Sequence, residues 1–331
     1  MTRRDPQAGR LTSGGFRFMP FTTEELKSIH RSTLEVLEYK GVFVYHDEAL
    51  NYFAEGGADV DFKTKMVRIP PVMVREALAS CPESVIMHAR DPRQDALIEA
   101  NRVAFTNFGE ALNIYDIDTG EHRETCKQDL ADMATVIDAM EVISVVEQPG
   151  GSHEVPQSIG HLHDYEALVN NTSKHVVMMP HNAEIAEKLV RMSEIAAKAH
   201  FPDDPVQDHR ILSFLICPVS PLRLLENTCD VIIVAARNNA VCNVLSMAMA
   251  GGSSSIHLAG TLVTHNAEVL SGIVLNQLVN RGAPVIYGSS TTSFDLRTGA
   301  AAVGSPELGM ISAAVGALAQ FYHLPSWTAG G

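Results

Sequence analysis

Two carboxylates are the first residues in this sequence with obvious chemical use. Glu110 and Glu147 each close a short apolar run, in Asn107-Phe108-Gly109-Glu110 and in Glu147-Gln148. Carboxylates so placed can hold a cation or share a proton; the plainer alternative is a pair of solvated loop acids. "HLHD", residues 161 to 164, has the H-x-H spacing of metal-dependent barrel hydrolases. Its surroundings read as helix, however, and residues two apart on a helix point about 200° apart. They cannot share one ion, so no metal is expected. Cys217, just before Pro218, has the chemistry of a nucleophile, but no partnering histidine is legible and a buried inert thiol is the simpler reading. Met178, Met179, Met247 and Met249 either line a mouth or fill a core. "YGSSTTSFDLRTG", 287 to 299, is a polar stretch after an apolar run, and polar loops of this kind shape pockets.

Composition narrows the classes. The chain has 331 residues, 46% hydrophobic and 19% charged, with a formal net charge of −14 and a pI near 5.4. That sign opposes a nucleic-acid backbone, so no nucleic-acid partner is expected. Five scattered cysteines, odd in number and without a C-x-x-C pair, argue against a disulfide framework and for a reducing cytoplasm. No signal-peptide core and no run of about 18 apolar residues is seen, so no membrane partner is expected.

The positioning elements follow a rhythm. Residues 1–100 read as an N-terminal α+β extension, opened by the helix "FTTEELKSIHRSTLEVLEYKG" with a Thr22/Glu25 capping box and Gly41 at its end. Residues 101–331 alternate strand and helix. The strands are "VAFTNF" (103–108), "SVVEQ" (144–148), "HVVMM" (175–179), "ILSFLIC" (211–217), "VCNVLSMAM" (241–249), "PVIYGSS" (284–290) and "PSWTAG" (325–330). They are apolar on both faces, as an inner parallel sheet requires. No G-x-G-x-x-G follows the first strand, which disfavours a dinucleotide fold. The expected class is therefore α/β, a (β/α)8 TIM barrel incomplete at its C-terminus, with seven strands present. In "GSPELGMISAAVGALAQFY", Ser305 caps, Pro306 opens, and Leu308, Ile311, Val315 and Leu318 form one apolar stripe.

The stretch "APVIYGSSTTSFDLRTGAAAVGSPELGMISAAVGALAQFYHLPSWTAGG", with "LSFLICPVSPLRL", "THNAEVLSGIVLNQL" and "RIPPVMVREALASCP", closely resembles the trimethylamine methyltransferase family of corrinoid-dependent enzymes. The resemblance covers nearly the whole chain. It implies a barrel that passes a methyl group from a small methylated amine, trimethylamine, to Co(I) of a cognate corrinoid protein. The cobalamin would be carried by that partner and no cofactor bound directly. Homo-oligomerisation is also expected. In trimethylamine-specific members a pyrrolysine encoded by UAG follows an "SW-x-AGG" segment, here Ser326 to Gly331. The resemblance thus implies pyrrolysine at position 332, an expectation that a sense codon there would remove. Without it the 331 residues would be a poor catalyst, with two strand edges unpaired. Two alternatives stand beside this reading: a pyrrolysine-free glycine betaine methyltransferase, and a non-catalytic amine-binding module. Strand-end position alone nominates Glu147 and Tyr287 as catalytic residues, and Asn107, Gln148, Ser289, Ser290, Gly330 and Gly331 as substrate-binding residues.

Overall fold

The structure, a computed structural model, describes residues 20–99, 102–109, 111–202, 205 and 209–329. Helix α1, Thr23–Glu35, begins where the capping box places it. Thr22 Oγ1 accepts from Glu25 N at 3.3 Å, and Glu25 Oε2 accepts from Thr22 N at 2.7 Å. A π-helical turn, Val36–Lys40, then carries the chain to Gly41. This glycine has φ +76°, and a Cβ on it would lie 2.3 Å from Val67 O. Gly41→Ala should therefore cost at least about 2 kcal/mol, strain and collision together. Gly57→Ala is the control, because Gly57 has φ +98° but open space around it. Urea midpoints should fall clearly further for the first variant than for the second.

Helices α2 (Asp47–Glu55) and α3 (Pro71–Ser80) follow, the latter with Pro71 in its first turn. The alternation then sets in. In chain order come β1 (Phe105–Thr106), α4 (Lys127–Ala139), β2 (Ile143–Glu147), α5 (Gly160–Asn171), β3 (His175–Met178), α6 (Ala183–His200) and β4 (Leu212–Ile216). They are followed by α7 (Glu226–Arg237), β5 (Cys242–Ser246), α8 (Leu258–Val279), β6 (Val285–Ser289), α9 (Pro306–Phe321) and β7 (Ser326–Thr328). All seven strands expected from the sequence are present among the described residues, giving the mixed α/β fold.

Packing divides the described chain into two compact units, residues 86–214 and residues 20–85 with 215–329. In the first, parallel strands lie in the order β1-β2-β3-β4. Strand β4 passes into the second unit, where the order is β4-β5-β6-β7, with β5, β6 and β7 parallel. In the second unit α9 starts as its sequence dictates. Ser305 Oγ accepts from Leu308 N at 3.2 Å, and Leu308, Ile311, Val315 and Leu318 are all buried. Each such side chain contributes about 1.5–3 kcal/mol.

Helix α8 is long and apolar enough to cross a membrane by length and composition, yet it is mostly buried within its unit, packed on α1, α3, α7 and β5. The polar stretch 287–299 is not a loop throughout. Thr292–Asp295 forms a strand, parallel to Met249–Ala250 and antiparallel to Ala300–Ala301. A turn makes this possible: Asp295 accepts from Arg297 N through Oδ1 and from Gly299 N through its carbonyl, with Gly299 at φ +69°. The apolar run 241–249 breaks for the same reason, since Met249 leaves β5 to join this small sheet.

Candidate functional site

Glu147 is the last residue of β2 and is 9% exposed. Its direction follows from register. Lys174 reaches α4, its Nζ donating to Ile137 O (2.7 Å) and Met140 O (2.8 Å), so His175 and Val177 point the other way. Val177 is paired with Glu147 in the ladder. The carboxylate therefore lies on the face turned away from α4, at the C-terminal end of its strand.

Asn107 fixes that end. Its Nδ2 donates to Glu147 O at 2.7 Å, and its Oδ1 accepts from Glu147 N at 2.9 Å. Its carboxamide thus bonds the Glu147 main chain in both directions. Two residues on, Gly109 lies so close that a Cβ would sit 2.6 Å from Gln148 O and 3.1 Å from Glu147 Oε1. Asn107 and Glu147, each nominated from the sequence by strand-end position, are thus brought together. Gln148 points to the helix side, donating to Asp164 Oδ2 (3.0 Å) and Gly150 O (3.2 Å). Asp164 also accepts from Ser152 N (2.8 Å) and Ser152 Oγ (2.6 Å). Burial pushes its carboxyl above the ordinary range although the Ser152 bonds oppose this.

The "HLHD" side chains diverge as a helix demands. His161 meets His181 across 3.1 Å between Nδ1 atoms, while His163 meets Lys127 Nζ at 3.2 Å. Burial first, then the neighbouring His181, lowers His161 to about 4. Cys217 is half-buried, and its carbonyl accepts from Thr228 Oγ1 at 3.1 Å.

In the second unit Tyr287 is fully buried on the helix side of β6. Its hydroxyl donates to Asn266 Oδ1 of α8 at 2.7 Å. Asn266 Nδ2 in turn donates to Thr33 Oγ1 (2.9 Å) and Tyr322 OH (2.8 Å), and Tyr322 OH meets His30 Nδ1 at 2.9 Å. Burial, with Tyr322 adding to it, raises the Tyr287 phenol well above its usual range. This tyrosine is occupied in tying β6 to α8 and does not open on a pocket. Strand alternation puts Ser289 on the same side, its Oγ accepting from Thr291 N at 3.1 Å. Gly288 and Ser290 face the other way, and Ser290 is half-buried. Gly288 makes room for Asn243, whose Oδ1 would be 2.2 Å from a Cβ there. Asn243 is buried with neither side-chain polar atom partnered by protein. Glu110, Gly330 and Gly331 lie outside the described residues.

Among the buried polar residues of α8 that escaped sequence reasoning are His265, Asn266 and Glu268. "THNAE", set in an otherwise apolar helix, was the available signal. Burial pushes Glu268 up, against three hydrogen bonds that lower it, and pushes His265 down to about 3.

Comparison with known proteins supplies the family. The trimethylamine methyltransferase (MTTB) family model matches residues 2–331. The chain belongs to this family. Within the trimethylamine methyltransferase family, the protein MttB of Desulfitobacterium hafniense is 46% identical over 325 residues, 98% of this chain and 65% of that protein. MttB of Methanosarcina thermophila is 44% identical over 336 residues, covering 100% of this chain and 69% of that one. A glycine betaine methyltransferase of Desulfitobacterium hafniense is 32% identical over 94% of this chain and 64% of its own length. The chain thus spans about two thirds of the length of these family relatives. The monomethylamine methyltransferase MtmB of Methanosarcina barkeri has the same type of fold, with a TM-score of 0.52 at 12% identity over 93% of this chain and 66% of that one.

Proposed function

We propose that this chain is the larger part of a methyltransferase that takes a methyl group from trimethylamine and passes it to the corrinoid of a separate protein. The observation that carries this reading is the family match across residues 2–331, with higher identity to trimethylamine enzymes than to the glycine betaine enzyme. In this reading Glu147 is the residue that meets the amine. A tertiary amine leaves poorly until protonated, and a carboxylate on a strand end can accept the ammonium N–H and fix which methyl group faces outward. The corrinoid, on its own protein, supplies Co(I) as the nucleophile. Asn107 positions Glu147, and Ser290, directly after β6, is the polar residue suited to face substrate. Tyr287, Gln148 and Ser289 are positioning residues. Five free cysteines suit a reducing cytoplasm.

The test uses the complete protein, its corrinoid partner in the Co(I) state, and either trimethylamine or glycine betaine. Absorbance should report methyl-Co(III) with trimethylamine and not with betaine. Turnover of betaine alone would favour the quaternary-amine reading, in which the cation needs no proton. No methyl-Co(III) with either substrate would leave only an amine-binding role.

A further inference from the structure

Glu268 is fully buried on α8, and three neutral donors converge on its carboxylate. Leu222 N donates to Oε1 at 2.9 Å, while Ser220 Oγ (2.8 Å) and Ser246 Oγ (2.6 Å) donate to Oε2. The donors come from two places that matter. Ser220 and Leu222 lie in the segment that follows β4, and Ser246 is the last residue of β5. Leu222 has φ +57°, a left-handed conformation that a leucine adopts only when its surroundings impose it. The Glu268 bond to its amide is one such constraint.

The chain of contacts continues to β6. The Ser246 carbonyl accepts from Ser290 N at 2.9 Å and from Thr291 Oγ1 at 3.3 Å. Thr291 Oγ1 meets His265 Nδ1 at 3.0 Å, and His265 stands one turn before Glu268 on the same helix. One buried face of α8 therefore grips the C-terminal ends of successive strands from behind. Strand ends of a β/α barrel carry the working residues on loops whose backbone must be held.

We propose that Glu268 is a positioning residue for substrate. It sets the main chain at Ser220–Leu222 and at Ser246 and, through Ser246, the place of Ser290. The proposal rests on the reading of these strand ends as the amine-binding face. Glutamine can do the same work: its Oε1 still accepts from Leu222, and its Nε2 can donate to two serine hydroxyls that rotate to accept. Alanine cannot, and it leaves three donors without a partner in a buried place.

The experiment compares Glu268→Gln, Glu268→Ala and Ser246→Ala in the complete protein, with two readouts. The first is hydrogen exchange across residues 218–224. Glu268→Ala should speed exchange there at least tenfold, with helix α9 unchanged, and Glu268→Gln should stay near the parent. The second is methyl-Co(III) formation with trimethylamine. KM should rise about tenfold in Glu268→Ala and severalfold in Ser246→Ala, with a smaller change in kcat, and Glu268→Gln should recover most of the loss. Should Glu268→Ala not fold, Ser246→Ala and the glutamine variant carry the same comparison. Unchanged exchange in both alanine variants, or an unchanged KM beside faster exchange, overturns the positioning role. A parent protein that forms no methyl-Co(III) overturns the reading of the site itself, and the exchange result then stands apart from it.

Discussion

Glu147→Gln should lower methyl transfer from trimethylamine about a hundredfold or more, with the fold intact. General acid–base and charge-holding groups contribute on this scale when a single carboxylate is removed from a reacting centre. The substitution is nearly isosteric, and Asn107 holds the end of β2 through the main chain of residue 147, which the substitution leaves in place. Asn107 accepts from Glu147 N and donates to Glu147 O, and its Nδ2 also donates to Phe108 O. Thermal melting should thus stay within a degree or two of the parent while kcat/KM collapses. The decisive measurement is the rate of methyl-Co(III) formation at saturating corrinoid protein. A variant within threefold of the parent would remove Glu147 from the reaction.

The second large effect concerns acid. His175 and His265 are fully buried, and burial holds them neutral, His175 at about 4 and His265 at about 3. Each has one firm role as a neutral ring. His175 stands between His88 O at 2.8 Å and Ser213 Oγ at 2.9 Å, and His265 meets Thr291. The unfolded chain protonates both near the ordinary value of about 6.5. Below that pH the unfolded state therefore binds more protons than the folded one, and stability falls as pH falls from 6.5 toward 4. By pH 5 each histidine withdraws about 2 kcal/mol. The buried carboxyls Asp164 and Glu268 act in the opposite sense. Their folded values are raised, so they weaken the fold at neutral pH and return part of that as pH drops. The histidine share is isolated by variants that lack one ring, which should lose less melting temperature than the parent between pH 7 and pH 5. Melting curves of the parent, His175→Gln and His265→Gln at both values check this, since each variant should show a shallower dependence. Equal slopes in all three would refute the assignment.

The architecture was legible because its signals are local. Strands apolar on both faces, the Thr22/Glu25 box and the Ser305-Pro306 start are written in a few adjacent residues, and each appears where expected. The site was legible only in part. Strand-end position nominated Glu147 and Asn107, which the structure brings together. It could not tell which side of β6 each residue faces, and so it nominated Tyr287, whose ring turns to α8. The partners of Tyr287, Glu268 and Asp164 come from distant parts of the chain, and no periodicity encodes such pairings. The strand at Thr292–Asp295 was hidden for a related reason. A serine- and threonine-rich segment reads as loop until a neighbouring strand supplies its hydrogen bonds.

The pair of hydrogen bonds between Asn107 and the main chain of Glu147 has a consequence for what mutation can explore. A carboxamide copies a peptide group, one donor and one acceptor in fixed relation, and hardly any other side chain of that size does. Aspartate keeps the shape but sets an oxygen against an oxygen; leucine keeps the bulk and offers nothing. Chemical ageing takes the first of these routes, because hydrolysis of the amide makes the acid. The acidic terminus of β2 is therefore hostage to a group that can neither be replaced by degrees nor be expected to last indefinitely in a stored sample.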